Sequence, residues 1–179
     1  MKKIIVIGLA VMLVVGLCAI PVMAAPAGNN NEKSTNVFVY TKNPPADPNA
    51  LEWDIHYTGA WGKFEYNITG QMVSGNFKGH GLVVGTSYDL ISYNDPWATH
   101  SVVVIGTGTA DKNGKVWIAI DTPVDLGTDV ASPVYDWDGA GDGYKIWLVP
   151  TLHLAGTQFN QWDHTAYLFE GYRIGATAP

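Results

Sequence analysis

Apolar and polar residues alternate along short segments of the chain from about residue 37 onward. In residues 51–58 the apolar side chains occupy every second position and polar side chains fall between them. Residues 63–68 repeat this pattern, with Phe64 and Ile68 alternating with Lys63 and Asn67. A period of two places one set on each face of a β-strand. We therefore predict strands whose apolar faces meet in a core.

Further strands are predicted between clusters of Gly, Asn, Asp and Pro. Asp111-Lys112-Asn113-Gly114 predicts a tight turn that joins residues 102–110 and 115–121 as a hairpin. The other predicted strands cover residues 37–41, 72–77, 88–93, 144–149 and 166–174. About nine strands at this spacing predict an all-β fold, either an antiparallel β-sandwich or a jelly-roll-like barrel.

The first 24 residues depart from this pattern and are typical of a secretory signal peptide. Two lysines precede an apolar run from Ile4 to Ile20, and Val22-Met23-Ala24 suits a signal peptidase site. Pro21 breaks the helix just before that site, and no basic cluster follows to stop transfer. We predict cleavage after Ala24 and a secreted, extracellular or cell-surface protein. An uncleaved membrane anchor is the alternative.

Cleavage leaves 155 residues without a cysteine, because Cys18 lies in the leader. The mature chain then forms no disulfide of its own and depends on a hydrophobic core. Residues 25–35 hold Pro26, Gly28 and three consecutive Asn, which predicts a flexible tether. Residues 36–179 are long enough for a single β-domain.

The excess of acidic over basic residues excludes some classes of binding partner. After cleavage 8 Lys and Arg face 16 Asp and Glu, a net charge of −8. Such a surface is repelled by nucleic acids and anionic membranes. We therefore expect no nucleic-acid partner and no stable membrane span, and an extracellular glycan or surface protein as partner.

Several short blocks between residues 61 and 174 share one family pattern. They are Trp61-Gly62-Lys63, Gly79-His80-Gly81-Leu82, Tyr88-Asp89-Leu90-Ile91-Ser92-Tyr93 with Asp95-Pro96-Trp97, Gly106-Thr107-Gly108-Thr109, Lys145-Ile146-Trp147-Leu148-Val149 and Tyr167-Leu168-Phe169-Glu170. Through them the chain resembles a family of secreted archaeal and bacterial β-domains of uncharacterised function. The resemblance implies an extracellular β-domain and supplies no catalytic residues. Ala98-Thr99-His100 departs from the Gly-rich sequence that follows Asp-Pro-Trp in that family.

An acidic, Gly-rich segment at residues 136–143 offers oxygen ligands to calcium. The candidate ligands are Asp136, Asp138 and Asp142. An EF-hand loop starting at Asp136 fails, because Ala140 and Trp147 stand where two ligands belong. A looser calcium loop and a solvated acidic turn both remain open.

Tryptophans supply candidates for glycan binding, because exposed aromatic rings can stack on sugars. Three of them fall in predicted loops and are the candidate ligand-binding residues: Trp97, Trp137 and Trp162. Packing against the ends of the sandwich is the alternative for these three. The tryptophans in strand patterns are expected to pack inside: Trp53, Trp117 and Trp147.

Glu52, Asp54 and His56 share one strand face and define an enzymatic alternative, a small extracellular glycoside-type hydrolase. His56 stands where the second Glu of such a site belongs, so a retaining mechanism lacks its proton donor.

Histidines give a second chemical alternative. His153 and His164 lie in one predicted loop region beside Asp163, and this set is a transition-metal candidate without diagnostic spacing.

From the sequence we predict a secreted binding or surface-structural domain without catalysis. Asn67-Ile68-Thr69 is a glycosylation acceptor site at Asn67. Residues 33–39 could add as a strand to a neighbour's sheet, an assembly alternative. The oligomeric state stays open.

Overall fold

The computed structural model describes residues 35–44, 53–93, 102–127, 143–171 and 174. Throughout these ranges the chain forms antiparallel strands with two short 3-10 turns, so the all-β prediction is confirmed. No helix in these ranges is long and apolar enough to cross a bilayer. The predicted signal peptide, and the tether apart from Thr35, lie outside the described residues.

Twelve strands can be assigned within the described ranges. They are β1 (Asn36–Tyr40), β2 (Lys42–Asn43), β3 (Asp54–Ile55), β4 (Trp61–Thr69), β5 (Met72–His80), β6 (Ser87–Tyr93), β7 (Val103–Thr109), β8 (Val116–Asp125), β9 (Lys145–Pro150), β10 (Leu154–Ala155), β11 (Gln158–Phe159) and β12 (Phe169–Glu170). The 3-10 turns are Thr151–His153 and His164–Ala166.

Two main sheets pack face to face as a β-sandwich. The larger sheet has the order β12-β1-β4-β5-β8, and the smaller has the order β7-β6-β9. Strands β6, β7 and β8 follow one another around the sandwich, and β9 returns beside β6. This is the Greek-key order common in sandwiches.

Apolar side chains from both sheets fill the core between them. Phe64 in β4 pairs with Phe77 in β5, and both are fully buried. Leu90 and Leu148 form the corresponding pair in the smaller sheet. Each such side chain contributes about 1.5–3 kcal/mol when it leaves water. Because these positions face the core, their sequence neighbours on β4 and β5 face outward.

The smaller sheet is buried on both faces. On its outer face Tyr93 stacks on Trp147, with ring centroids 4.0 Å apart. Residues 151–170 fold over this face and complete a second apolar cluster that includes Tyr167 and Phe169. The two-sided burial explains why β9 is apolar at nearly every position after Lys145.

The sheets meet at both edges of the sandwich. At one edge Leu148 and Leu168 exchange two backbone hydrogen bonds of 2.9 Å, which join β9 to the segment that leads into β12. At the other edge the turn after β7 leads into β8.

That turn is confirmed, because Gly114 N donates to Asp111 O at 2.9 Å and Gly114 has a φ of 67°. The predicted hairpin pairing is wrong: β7 pairs with β6 and β8 pairs with β5, so the turn crosses between sheets. A Cβ on Gly106 would lie 2.6 Å from Ile118 Cγ2. The missing side chain lets β7 approach β8 across this edge.

Strand β1 lies inside the larger sheet rather than at its edge. It pairs with β4 on one side and with β12 on the other. Val39 is therefore paired on both sides and is unavailable for addition to a neighbouring sheet, so the assembly alternative is wrong for it. For residues 36 and 37 pairing is shown on the β4 side alone. Residues 33–34 lie outside the described ranges.

Candidate functional site

The outer face of the larger sheet carries a set of basic and aromatic side chains. The register places Trp61 opposite His80, Lys63 opposite Lys78, and Lys78 opposite Trp117. These side chains face outward because the residues alternating with them fill the core. We call this set the basic aromatic face: Phe38, Trp61, Lys63, Lys78, His80, Lys115 and Trp117.

Rings and cations alternate across this face. The Trp61 and His80 rings stack with centroids 4.4 Å apart and an interplanar angle of 21°. Lys63 Nζ lies 5.9 Å from the centre of the Phe38 ring. Lys78 Nζ lies 4.6 Å from the centre of the Trp117 ring, within the range of a cation–π contact. The contacts hold the rings in fixed positions on a rigid sheet.

Trp117 was expected in the core, and this expectation is wrong. Its side chain is 57% exposed. Buried and exposed residues alternate along β8. Because Val116, Ile118 and Ile120 are buried, the Trp117 side chain between them points outward. The residue type suggested burial, whereas the period of two decides the face. Among the other strand tryptophans, Trp147 is buried.

A groove of about 400 Å³ runs beside Trp117 at the turn end of β5 and β8. Lys78, His80 and Lys115 line it together with Asp111. Backbone hydrogen bonds from Lys115 and Asn113 hold the pKa of Asp111 below its usual value. The Asp111 carboxylate is thus occupied by its own turn. The groove offers lysine ammonium groups to a ligand.

His80 contributes a neutral ring to this groove. Burial lowers its pKa, and the charges of Lys115 and Lys78 lower it further. The imidazole is therefore uncharged at neutral pH. Its Nδ1 is buried and has no hydrogen-bond partner in the described part of the chain.

The lysines of the face are only partly neutralised. Lys63 pairs with Glu65 at 2.7 Å, while Lys78 and Lys115 make no ion pair with any described residue. The charges of Lys115 and Lys78 act on the nearby Asp111 and Glu65 carboxylates, respectively, without forming ion pairs with them. This arrangement suits an anionic ligand that also has an apolar surface.

Of the three loop tryptophans predicted to bind a ligand, Trp162 is within the described residues and is not part of the basic aromatic face. Trp162 is 43% exposed on the outer side of the smaller sheet, where its ring packs 5.4 Å from Tyr167 and 6.0 Å from Trp147. It covers the second apolar cluster. Several other predicted site residues lie outside the described residues: Trp97, Trp137, Asp136, Asp138, Asp142 and Glu52.

The remaining enzymatic candidates are on the surface. Asp54 and His56 are exposed, and His56 Nε2 lies 2.9 Å from Thr58 Oγ1. Neither residue lines the groove described above. Asn67 is exposed on β4 opposite Ser74 and is accessible for glycosylation.

The two histidines of the 151–165 region face different partners. His153 Nδ1 lies 3.1 Å from the Tyr167 hydroxyl, and the His164 ring lies 5.4 Å from that of Trp53. Asp163 accepts hydrogen bonds from the backbone and hydroxyl of Thr165. Among the described residues no group of three His, Cys, Asp or Glu side chains is placed to hold a metal ion.

No family model, curated protein or solved structure matches the chain. The chemistry of the basic aromatic face therefore carries the functional argument. One sequence feature points to this face: Lys63, Lys78 and Trp117 each stand between apolar or glycine residues of an alternating strand pattern. Their proximity depends on the register between β4, β5 and β8, which alternation alone does not fix.

Proposed function

We propose that this protein is an extracellular binding domain for acidic polysaccharides that contain uronic acids, and that the basic aromatic face is its binding surface. The single observation that carries the proposal is the exposed Trp117 ring with the Lys78 ammonium 4.6 Å from its centre. One pair of side chains thus offers a stacking surface and a positive charge. A uronic acid presents the complementary pair, an apolar ring face and a carboxylate.

Geometry favours an extended polymer. Trp61 lies on β4 and Trp117 on β8, with β5 between them. Strands in a sheet are about 4.8 Å apart, so the backbones of the two residues are about 10 Å apart across the sheet. Their partners on β5, His80 and Lys78, are two residues apart, which adds an offset of about 7 Å along the strands. A flat surface with rings at this spacing suits several consecutive sugar units.

The lysines of the basic aromatic face favour negatively charged polymers as ligands. Lys78 and Lys115 can form charge-assisted hydrogen bonds to carboxylates, which are about twice as strong as neutral ones. Nucleic acid would also meet lysines and rings here, but the net charge of −8 after leader cleavage repels a polymer with a phosphate at every unit. Polygalacturonate also carries one negative charge per sugar, so its binding depends on Lys78 and Lys115 outweighing this repulsion locally.

Affinity electrophoresis tests the proposal with a matched pair of polymers. The purified protein is run in gels that contain polygalacturonate or its fully methyl-esterified form, with a chelator present so that calcium does not cross-link the polymer. We expect retardation by polygalacturonate and much weaker retardation by the ester. A Lys78→Gln, Lys115→Gln double variant should lose the difference. Equal migration in gels with and without polygalacturonate would contradict the proposal, and equal retardation by both polymers would remove its charge component.

A further inference from the structure

A second cavity, separate from the basic aromatic face, lies at the end of the sandwich where β6 begins and β9 ends. Its volume is about 230 Å³. Its wall is largely apolar, and Val83 and Leu152, which are 68% and 64% exposed, are among its lining residues. No Asp, Glu, Lys or Arg among the described residues lines it. An uncharged cavity with exposed apolar residues at its border suits a small uncharged molecule.

His153 is the buried polar residue of this wall. It ends the 3-10 turn Thr151–His153 and is 6% exposed. Its Nδ1 lies 3.1 Å from the hydroxyl of Tyr167, which also lines the cavity. The other ring nitrogen, Nε2, makes no hydrogen bond with the described residues.

The hydrogen bonds of Tyr167 fix the tautomer of this histidine. The hydroxyl donates its single proton to Gln161 O at 2.8 Å and accepts from Asp163 N at 3.2 Å. With that proton in use, His153 Nδ1 must donate to the hydroxyl. In the neutral ring the proton then sits on Nδ1, and Nε2 presents a lone pair.

Nε2 also remains accessible. Among the described residues, Thr151 Oγ1 in the same turn is a fully buried polar atom without a hydrogen-bond partner. His153 Nε2 does not belong to this class of atoms. Nε2 has no partner and therefore keeps some accessible surface, although the residue as a whole is buried. An acceptor of this kind in an apolar wall orients a ligand that brings a donor.

We infer that this cavity binds a small uncharged molecule with an apolar body and one hydrogen-bond donor, which it gives to His153 Nε2. The volume lies below the range of about 300–1,000 Å³ typical of sites for drug-sized ligands, so the ligand has the size of a single ring or a short chain. An alcohol or phenol has this chemistry. The cavity shares no lining residue with the groove of the basic aromatic face.

Benzyl alcohol and toluene are suitable probes, because they share a ring and differ in the donor. Nuclear magnetic resonance titrations of the purified protein give both affinities, and the nitrogen-15 shifts of His153 report the tautomer directly. We expect an unprotonated Nε2 in the free protein and a shift of that nitrogen with benzyl alcohol but not with toluene. The affinity ratio of benzyl alcohol to toluene should fall about fivefold in His153→Leu. It should not change in His164→Leu, a control from the same region.

Three results would overturn the inference. They are a protonated Nε2 with an unprotonated Nδ1, a benzyl alcohol titration that leaves the His153 nitrogens unmoved, and an affinity ratio that stays the same in His153→Leu. The first two use the wild-type protein, so they decide the question even if the leucine variant does not fold.

Discussion

Lys78 and Trp117 face each other across β5 and β8, and the ammonium group lies 4.6 Å from the centre of the indole ring. The contact restrains an aromatic ring that is 57% exposed. Exposed contacts of this type contribute about 0.5–1 kcal/mol. Lys78 thereby orients the ring and supplies charge beside it.

Replacement of Lys78 by Gln should lower the free energy of unfolding by about 0.5–1 kcal/mol, because the cation–π contact is lost. Urea denaturation measures the change. Lys112→Gln is the matched control, since Lys112 is an exposed lysine in the turn after β7. An equal loss of stability in both variants would mean that the Trp117 contact does not stabilise the fold.

Two glycines with positive φ in the β4–β5 region should respond differently to alanine. Gly75 has a φ of 148°, and a Cβ there would overlap the carbonyl oxygen of Glu65. Gly70 has a φ of 59° and open space around its Cβ position. We expect Gly75→Ala to lose about 3 kcal/mol or more and Gly70→Ala about 1–2 kcal/mol. Chemical denaturation measures both, and a smaller loss at Gly75 than at Gly70 would contradict the close strand approach.

Glu170 should make the fold more stable in mild acid. Its Oε2 is buried without a hydrogen-bond partner among the described residues. Burial raises its pKa above the ordinary value of 4.5, and the charges of Lys42 and Lys145 oppose that rise. A carboxyl with a raised folded pKa contributes stability that is complete below the unfolded pKa and is lost as the pH rises through the folded pKa.

Glu170→Gln should therefore melt at a higher temperature than the wild type at neutral pH, with the difference shrinking toward about pH 4. Melting curves across this range measure it. Glu65→Gln is the control with the opposite sign, because the hydrogen bond and charge of Lys63 lower the pKa of Glu65. A Glu170→Gln advantage that does not depend on pH would show that the buried carboxyl is not the cause.

Tyr167→Phe should be more destabilising than Tyr88→Phe, although both tyrosines line the cavity. Tyr167 loses three hydrogen bonds, and one of the groups that lose their partner is the buried His153 ring. Tyr88 loses one, from Val83 N at 3.2 Å. We expect losses of about 2–4 and about 1 kcal/mol in denaturant titrations. Similar losses would mean that the Tyr167 hydroxyl does not organise its loop.

Most of the fold follows from local sequence. The alternation around Phe64 predicts β4 and its buried face, and the Asp111–Gly114 turn is where the sequence places it. The partner of each strand is not predictable in this way. The turn after β7 joins two sheets, and only tertiary contacts such as that of Gly106 with Ile118 show this.

The candidate site was harder to predict. Trp162, a loop residue predicted to bind a ligand, packs on Tyr167 and Trp147 and is 43% exposed, and its role stays a prediction. Trp117 in a strand looked like a core residue and is the exposed ring. Residue type alone suggested that Trp117 is buried, whereas its place in the alternation of β8 puts its ring in solvent.

Isothermal titration with oligogalacturonate tests the central claim most directly, with wild type, Trp117→Ala and Trp162→Ala measured side by side. The basic aromatic face predicts at least about tenfold weaker binding for Trp117→Ala, because a tryptophan that a ligand covers on binding is a typical hot spot of an interface. Trp162→Ala should bind like the wild type, since Trp162 lies on the opposite side of the sandwich. Binding that survives in Trp117→Ala, or that is lost in Trp162→Ala alone, would contradict the account.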